Sequence, residues 1–224
     1  MKLAMPAPQL PGYLAAQAAA MFPRADAATA AEFAPFVAAA LERLEFCFAR
    51  IRNKYFSRNG EVGFDPAHSD QYAMFLYWVG NAVFRAAGDP RLGQTTYLLN
   101  KALHGLDLYH EVELPAIFYL QYPVGTVLGR ARYADYFVAY QRGTVGGNLD
   151  LQYPVLGEGV ALMAGAAVLG DCRVGANVWF SAGTLALDEP VEGNAVVFGQ
   201  SPRLGRKSPR RNVRDFFFQE PRGA

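Results

Sequence analysis

The spacing of apolar residues changes about half-way along the chain. In residues 27–52 good helix formers dominate, and four apolar residues recur at intervals of four, three and four: Val37, Leu41, Leu44 and Phe48. This spacing places them on one face of a helix. Residues 69–87 and 92–105 predict two further helices, the first with Ser69 as its N-cap and the second ended by Gly105.

The second half has a period of six. An apolar residue returns at every sixth position, in the order Leu156, Leu162, Val168, Val174, Phe180 and Ala186. Four residues after each of the first five stands a smaller or β-branched residue: Val160, Ala166, Cys172, Val178 and Thr184. A period of six fits neither an α-helix nor an alternating strand. It fits a triangular coil in which each hexad forms one side and one corner, with Gly157 and Gly175 at corners that glycine tolerates.

The six-residue pattern has one break in phase. Counting backwards gives Val145, Ala139, Tyr133 and Val127, but Val145 and Leu156 are eleven residues apart instead of twelve. We interpret residues 146–154 as a loop ejected from the coil, and such loops on a rigid scaffold commonly carry function. The pattern predicts a parallel β-helix of about five coils, with Cys172 as a small core residue.

Composition agrees with a globular protein. The 224 residues are 52% hydrophobic and 18% charged, and the formal net charge of +1 does not indicate a nucleic-acid partner. The two cysteines fit no metal-ligand spacing, and no segment reaches the ~20 apolar residues that span a bilayer. Prolines and glutamines interrupt the apolar start of the chain, so we expect no signal peptide and a cytoplasmic protein. We expect three parts: an α-helical domain (1–110), a β-helix (111–205) and a basic and aromatic tail (206–224).

Several segments resemble serine acetyltransferases, within the hexapeptide-repeat acyltransferases. LQYPVGTVLG (120–129) is similar to the family's LDHATGLVIG, and GTVGG (143–147) to its VTLGG. YPVLGEGVALMAGAAVLG (153–170) is similar to HPKIGDGVLIGAGAKILG, and VVFGQSPRLGRK (196–207) to the closing VVAGVPARIVGK. The resemblance covers roughly Ser69 to Lys207 and identifies the chain as a divergent member.

The resemblance implies a fold, a reaction and an assembly. The fold is an N-terminal helical domain followed by a left-handed β-helix. The reaction is acetyl transfer from acetyl-CoA by direct attack of the acceptor on the thioester, without a metal. The assembly is a homotrimer with active sites between neighbouring β-helices, and the family's helical domain can join two trimers. Flat coil faces also favour closed cyclic assembly on physical grounds. No nucleic-acid or membrane partner is expected.

The resemblance also shows where the site departs from the family. The family's general base is a histidine oriented by an aspartate fifteen residues earlier; the matching positions here are Tyr122 and Asp107. The family's neighbouring aspartate is matched by Gln121, and its serine-binding Arg-His pair by Gln152 and Tyr153. A tyrosine with a pKa near ~10 is a poor base at neutral pH. L-serine is therefore not the favoured acceptor.

Three interpretations of this site remain open. In the first, another base serves a different acceptor; His110 is the best candidate and His104 the next. The resemblance also implies an acidic residue from the helical domain at the cleft, and Asp70 is the candidate for it. In the second, the acceptor is an amine that needs less help from a base. In the third, the protein is catalytically impaired and serves as a binding or assembly partner.

The acyl donor has its own candidate residues. Residues 201–214 hold six basic side chains, and Arg206 and Lys207 are expected to pair with CoA phosphates unless the run is only a solvated basic surface. Gly165, Ala182 and Gly183 are expected to line the channel for the pantetheine arm. The run Asp215 to Phe218 is too apolar to stay exposed, so we expect it to fold back onto the protein.

Overall fold

The computed structural model describes residues 1–221 and begins with a helical region. After a single 3-10 turn (Ala7–Gln9) come four helices: α1 (Leu10–Met21), α2 (Ala30–Phe48), α3 (Ser69–Arg85) and α4 (Pro90–His104). The last three are the helices that the sequence predicts. Prolines interrupt the apolar start of the chain in the sequence pattern, but Pro11 lies in the first turn of α1, where a missing N–H breaks no helical bond.

The helix ends follow known capping chemistry. Thr29 and Glu32 form a reciprocal capping box at the start of α2. Helix α3 begins at Ser69 itself, with His68 at the N-cap, so the predicted cap is one residue late. Gly105 ends α4 as predicted, in the left-handed conformation at φ +61°. All residues of α3 from Asp70 to Val83 are buried, so this helix is the centre of the helical region.

A small sheet and a parallel β-helix complete the fold. The small sheet has the order β1-β3-β2, with β1 at Lys2–Leu3, β2 at Ser57–Arg58 and β3 at Glu61–Phe64. The first face of the β-helix consists of β4 (Phe118–Gln121), β7 (Phe137–Tyr140), β10 (Val160–Leu162), β13 (Val178–Phe180) and β15 (Ala195–Gln200). The second consists of β5 (Val127–Leu128), β8 (Thr144–Gly146), β11 (Ala167–Leu169) and β14 (Leu185–Leu187). The third consists of β6 (Arg132–Tyr133), β9 (Val155–Leu156) and β12 (Arg173–Val174).

Strands of successive coils pair in parallel on all three faces, which confirms the period of six. The six predicted inward residues from Leu156 to Ala186 are buried, each at most 5% exposed. Val155 pairs with Arg132 and Leu156 with Tyr133, so the ejected loop adds its residues between the second and third faces without disturbing the stack. Cys172 is buried in the core, as expected.

The first coil departs from the predicted pattern. Val127 is 39% exposed, whereas Leu128 is 1% exposed and pairs with Val145, so the predicted inward position is wrong by one residue. Eight residues separate Leu120 from Leu128, where six separate the paired Ala139 and Val145 one coil later. The corner after β4 therefore carries two extra residues. A count of every sixth position does not reveal such an insertion.

The corner glycines Gly157 and Gly175 are needed for close packing between coils. Neither has a positive φ, but a Cβ on Gly157 would lie 2.8 Å from Gly175 C. A Cβ on Gly175 would lie 2.5 Å from the backbone N of Gly193. Their role is thus the close approach of stacked backbones, and not the unusual corner conformation that the sequence suggested.

We expect the substitution Gly175→Ala to lower the free energy of unfolding by about 1–3 kcal/mol, because the new methyl group forces the next coil away. Gly63→Ala is the matched control, since a Cβ there meets no atom within 4 Å. Urea denaturation followed by circular dichroism measures both. Equal stability of the two variants would contradict this account of the corner.

The C-terminal segment folds back as the sequence predicts. After β16 (Arg203–Lys207), which pairs antiparallel with β15, a short helix α5 (Val213–Phe217) packs on the first face. Phe217 and Phe218 are buried, and Phe218 pairs with Ile51 at the end of α2. The segment thereby joins the β-helix to the helical region. Residues 222–224, the end of the predicted tail, lie outside the described residues.

Candidate functional site

The widened corner presents Tyr122 to solvent. Tyr122 is 58% exposed and has a left-handed backbone at φ +52°, an uncommon conformation for a bulky residue. Its N–H donates a hydrogen bond to Asp70 Oδ2 at 3.2 Å. Asp70 lies in the first turn of α3 and is 4% exposed. Burial raises the pKa of Asp70, and the N–H of Tyr122 opposes this rise. The structure therefore brings two predicted site residues into direct contact.

A buried tyrosine, Tyr119, and a half-buried one, Tyr140, lie beside this contact and were not predicted as site residues. Tyr119 is on β4, and its hydroxyl accepts a hydrogen bond from Asn53 Nδ2 at 2.8 Å. Tyr140 is on β7, where it pairs with the predicted residue Gln121. Burial raises the pKa of both hydroxyl groups, so they stay protonated at neutral pH and can act only as hydrogen-bond donors or acceptors.

Asp107 is held by helix α4. Lys101 Nζ lies 2.8 Å from Asp107 Oδ2, and the hydroxyl of Tyr97 donates to Asp107 Oδ1 at 2.9 Å. The backbone of Asp107 pairs with Val127, which places it at the top of the second face. Within residues 1–221, no hydrogen bond joins Asp107 to Tyr122. The spacing of Tyr97 and Lys101, four residues apart on one helix, is the sequence signal for this pair, since such residues share a face.

His110 lies between α3 and α4. A Cβ on Gly93 would come within 2.7 Å of its ring, so the imidazole occupies the space that this glycine leaves free. Burial lowers the pKa of His110, and its carbonyl accepts a hydrogen bond from Asn81 Nδ2 at 3.0 Å. The neighbouring Tyr109 and Glu111 line a surface cavity next to Asp107, whereas His110 is not part of that lining.

His104, at the end of α4, lies edge-on to Tyr72 at a ring distance of 5.9 Å. Its Nε2 is buried without a hydrogen-bond partner, and burial lowers the pKa of His104 to about 4. The imidazole is therefore neutral at pH 7, and protonating it would place a charge in a site that does not solvate it.

This shift predicts an acid-dependent loss of stability. Because the folded pKa of about 4 lies below the ordinary 6.5, the unfolded chain binds the proton first as the pH falls. His104 therefore contributes stability above pH 6.5 that is lost toward pH 4, up to about 3 kcal/mol. We expect His104→Gln to flatten the pH dependence of the free energy of unfolding between these values. An unchanged profile would contradict the burial argument.

The ejected loop is on the edge between the second and third faces, away from Tyr122. Gln152 Oε1 accepts a hydrogen bond from Asn148 Nδ2 at 2.8 Å, so its side chain is turned toward its own loop. Tyr153 packs against Gly147, where a Cβ would lie 2.8 Å from the ring. Tyr153 and Asp107 line the same cavity. Within one chain the predicted residues thus form two groups, one around Tyr122 and one around Asp107.

The edge below Tyr122 carries Gln141 and the exposed Arg142 in the next coil, followed by small residues. Gly165 and Gly183 have left-handed backbones at φ +69° and +71°, and a Cβ on Gly183 would meet no atom within 4 Å. The N–H of Gly165 donates to the carbonyl of Gln141, and that of Gly183, next to Ala182, to the carbonyl of Ala164. Gln141 Oε1 has no hydrogen-bond partner. The predicted pantetheine residues therefore lie on the same edge of the β-helix as Tyr122.

Arg206 and Lys207, the predicted phosphate-binding residues, are consecutive in β16, so their side chains point to opposite sides of the strand. Arg206 forms an ion pair with Glu189 at 3.1 Å. Lys207 lines a groove of about 600 Å³ together with two aromatic and two further basic residues: Trp179, Phe216, Arg210 and Arg211. A basic groove with exposed aromatic faces suits a ligand that combines phosphates with a flat ring.

In residues 1–221 there is no group of three or more His, Cys, Asp or Glu side chains that could hold a metal ion.

Two curated proteins are similar in sequence. Over 110 residues, 47% of this chain, it is 31% identical to a serine acetyltransferase from Synechococcus elongatus. Over 128 residues it is 26% identical to a serine acetyltransferase from Staphylococcus xylosus. The matched regions cover 45% and 59% of those proteins, so the chain spans about half the length of the curated relatives it matches. No protein-family model matches.

Solved structures show the same fold over most of the chain. The crystal structure of serine acetyltransferase from Brucella abortus covers 89% of this chain with a TM-score of 0.66 and 17% identity, and 84% of that protein is covered in turn. The same enzyme in complex with coenzyme A covers 91% of this chain, again with a TM-score of 0.66 and with 16% identity. The chain resembles serine acetyltransferases in sequence and in fold. The predicted architecture, a helical domain followed by a left-handed β-helix, is thereby confirmed.

Several residues of the predicted site lie at the least constrained positions of the serine acetyltransferase-like fold. The phrases that carry the resemblance include the strands and corners of the coils, which the fold itself requires. Tyr122 lies at a corner enlarged by two residues, and Gln152 and Tyr153 lie in the ejected loop. These are the positions where a β-helix tolerates change without loss of its core.

Among the described residues, no helix combines the length and apolar character needed to span a bilayer.

Proposed function

We propose that the protein is an acyl-CoA-dependent acetyltransferase that acts on a small amine or hydroxyl acceptor. The observation that carries this proposal is the edge that runs from Tyr122 past Gly165 to Gly183. Beyond the exposed Arg142 this edge carries glycine at each corner, and a Cβ on Gly183 would meet no atom within 4 Å. An extended pantetheine arm fits such an edge, and a serine acetyltransferase of the same fold has been crystallised with coenzyme A.

The proposed reaction is direct transfer. The acceptor nitrogen or oxygen attacks the carbonyl carbon of acetyl-CoA, the new bond to the acetyl group forms, and the carbon–sulfur bond breaks. The acceptor proton leaves through a base or solvent, and the CoA thiolate is protonated. Tyr122 is exposed and can donate a hydrogen bond to the thioester oxygen as negative charge develops there. Positioning of the two reactants supplies much of the remaining acceleration.

The state of the candidate bases favours an amine over an alcohol. His104 and His110 are at least partly buried, with lowered pKa values. Asp107 is paired with Lys101. An amine with a lowered pKa is partly unprotonated at pH 7 and needs less base assistance than an alcohol does. Asp70, in contact with Tyr122, is the acidic group nearest the open corner and would accept the proton.

The proposed donor site predicts a selective effect on CoA binding. We expect Lys207→Ala to weaken CoA affinity about tenfold, because a lysine–phosphate contact is charge-assisted. Arg206 is also a candidate, and we expect Arg206→Ala to have a smaller effect because its charge is already paired with Glu189. Arg173→Ala, a surface substitution on the third face, is the control. Calorimetric titration with CoA measures all three, and equal affinities would favour a solvated basic surface instead.

The proposed activity is tested by thiol release. The purified protein is incubated with acetyl-CoA and panels of amines, amino acids and sugars, and free CoA is followed with a thiol reagent. We expect release that depends on the acceptor. Absence of both CoA binding and thiol release would instead favour a catalytically impaired binding or assembly partner.

Homotrimer formation, with sites completed between neighbouring β-helices, and the cytoplasmic location are parts of this proposal; ultracentrifugation tests the trimer.

A further inference from the structure

The cavity beside Asp107 has apolar walls. Its volume is about 630 Å³, within the range of small-molecule sites. Residues from four separate segments line it, and three are large apolar side chains that remain well exposed: Phe84 at 42%, Tyr109 at 37% and Val127 at 39%. The ring of Tyr153 closes one side. Exposed apolar side chains that converge in one cavity indicate a binding site.

Two of the four charged groups at this cavity are neutralised by ion pairs. Glu113 is paired with Arg85 at 2.7 Å, and Asp107 with Lys101 at 2.8 Å. Glu111 is exposed. Arg130 lies over the ring of Tyr153 at 5.5 Å, and it has no carboxylate partner in the part of the chain that the structure describes. Beyond Glu111 and Arg130, the hydrogen-bonding groups of serine or a sugar would face apolar walls here, and unpaired polar groups weaken binding strongly.

We propose that the acceptor carries an aromatic or branched apolar body, and that this body occupies the cavity. The inference rests on the proposed acetyl transfer and names the substrate class of the same site. Phe84 and Tyr109 pack against the apolar body, and Val127 forms the floor next to Asp107. Gly147 permits the position of Tyr153, since any side chain there would collide with the ring. Within one chain this cavity and the donor edge are apart, so the nucleophilic amine or hydroxyl points out of the cavity toward the donor edge of a neighbouring β-helix in the proposed trimer.

Matched acceptors test the inference. Ethylamine is compared with 2-phenylethylamine, and ethanol with 2-phenylethanol, so that the nucleophile stays the same and only the apolar body changes. We expect kcat/KM from thiol release to be at least tenfold higher for the phenyl compound of each reactive pair. Equal or lower values for the phenyl compounds, with turnover of the small ones, would overturn the inference and leave the proposed function intact.

Variants of the wall show whether the preference comes from this cavity. We expect Phe84→Ser and Tyr109→Ser to reduce the phenyl preference at least fivefold, whereas Met21→Ser, an exposed apolar position on α1, should retain it. Calorimetry with 2-phenylethylamine and with ethylamine, with and without CoA, is the second readout. If the protein neither binds CoA nor releases thiol, the proposed function fails. In that case the inference about the cavity is judged by calorimetry alone. It stands if 2-phenylethylamine binds, ethylamine does not bind, and Phe84→Ser abolishes the binding of 2-phenylethylamine. It is overturned if 2-phenylethylamine does not bind.

Discussion

Replacing Phe218 with alanine is expected to lower the free energy of unfolding by about 3–5 kcal/mol, the usual cost of emptying a buried phenylalanine site. Phe218 is 1% exposed, and its ring lies 5.2 Å from that of Tyr136. Its carbonyl accepts a hydrogen bond from Arg52 Nε at 3.1 Å. The side chain therefore packs between the β-helix and the end of the helical region, and no neighbour can fill the space it leaves. Guanidinium denaturation of the purified variant measures the loss.

The chain offers a matched control two residues earlier. Phe216 is 41% exposed and contacts the ring of Trp179 at 5.6 Å, so Phe216→Ala should cost about 1 kcal/mol or less. Both substitutions remove the same side chain from the same segment, and only the buried one contacts the helical region. Similar losses for the two variants would contradict the packing of this segment. We expect one unfolding transition for the wild type, because the segment couples the two regions.

The regular part of the fold is predictable because one physical requirement repeats. Each coil must bury one apolar residue on each side, so the period of six appears directly in the sequence from Leu156 to Ala186. Where the spacing along a coil departs from six, the count fails. Leu128 lies only five residues before Tyr133, so counting back six from Tyr133 assigned Val127 to the core, although it is exposed. Helix α1 was missed because proline was taken as an interruption and not as a first-turn residue.

The site was only partly predictable, because its contacts depend on tertiary structure. Asp70 and Tyr122 are 52 residues apart in sequence and meet because the start of α3 packs on the widened corner. Nothing in the local pattern of either segment indicates this contact. The pairing of Asp107 with Lys101 is closer in sequence, but the resemblance drew attention to Tyr122 as its expected partner.

The ion pair at Asp107 has a consequence for any attempt to restore a histidine base. The resemblance to serine acetyltransferases matches Tyr122 to the family's histidine and Asp107 to the aspartate that orients it. Here both carboxylate oxygens of Asp107 are already engaged, by Lys101 and by Tyr97. The Lys101 ammonium therefore compensates the charge that would otherwise orient a histidine at position 122 and raise its basicity. Tyr122→His alone should change the rate little.

We expect the double substitution Tyr122→His with Lys101→Met to raise the rate of acetyl transfer to a hydroxyl acceptor about tenfold over Tyr122→His alone, because Asp107 without its lysine partner can orient the imidazole. Lys101→Met removes the ammonium group and keeps the length of the side chain. It costs little stability, because the Lys101–Asp107 pair is half-exposed. Thiol release with 2-phenylethanol is compared for the wild type, both single variants and the double variant. The rate gain should decrease at pH values below the pKa of the imidazole, where the base is protonated. Lys101→Met alone should show no gain. If the single Tyr122→His variant equals the double, then Lys101 does not restrain Asp107, and the exposed corner itself supplies what the histidine needs.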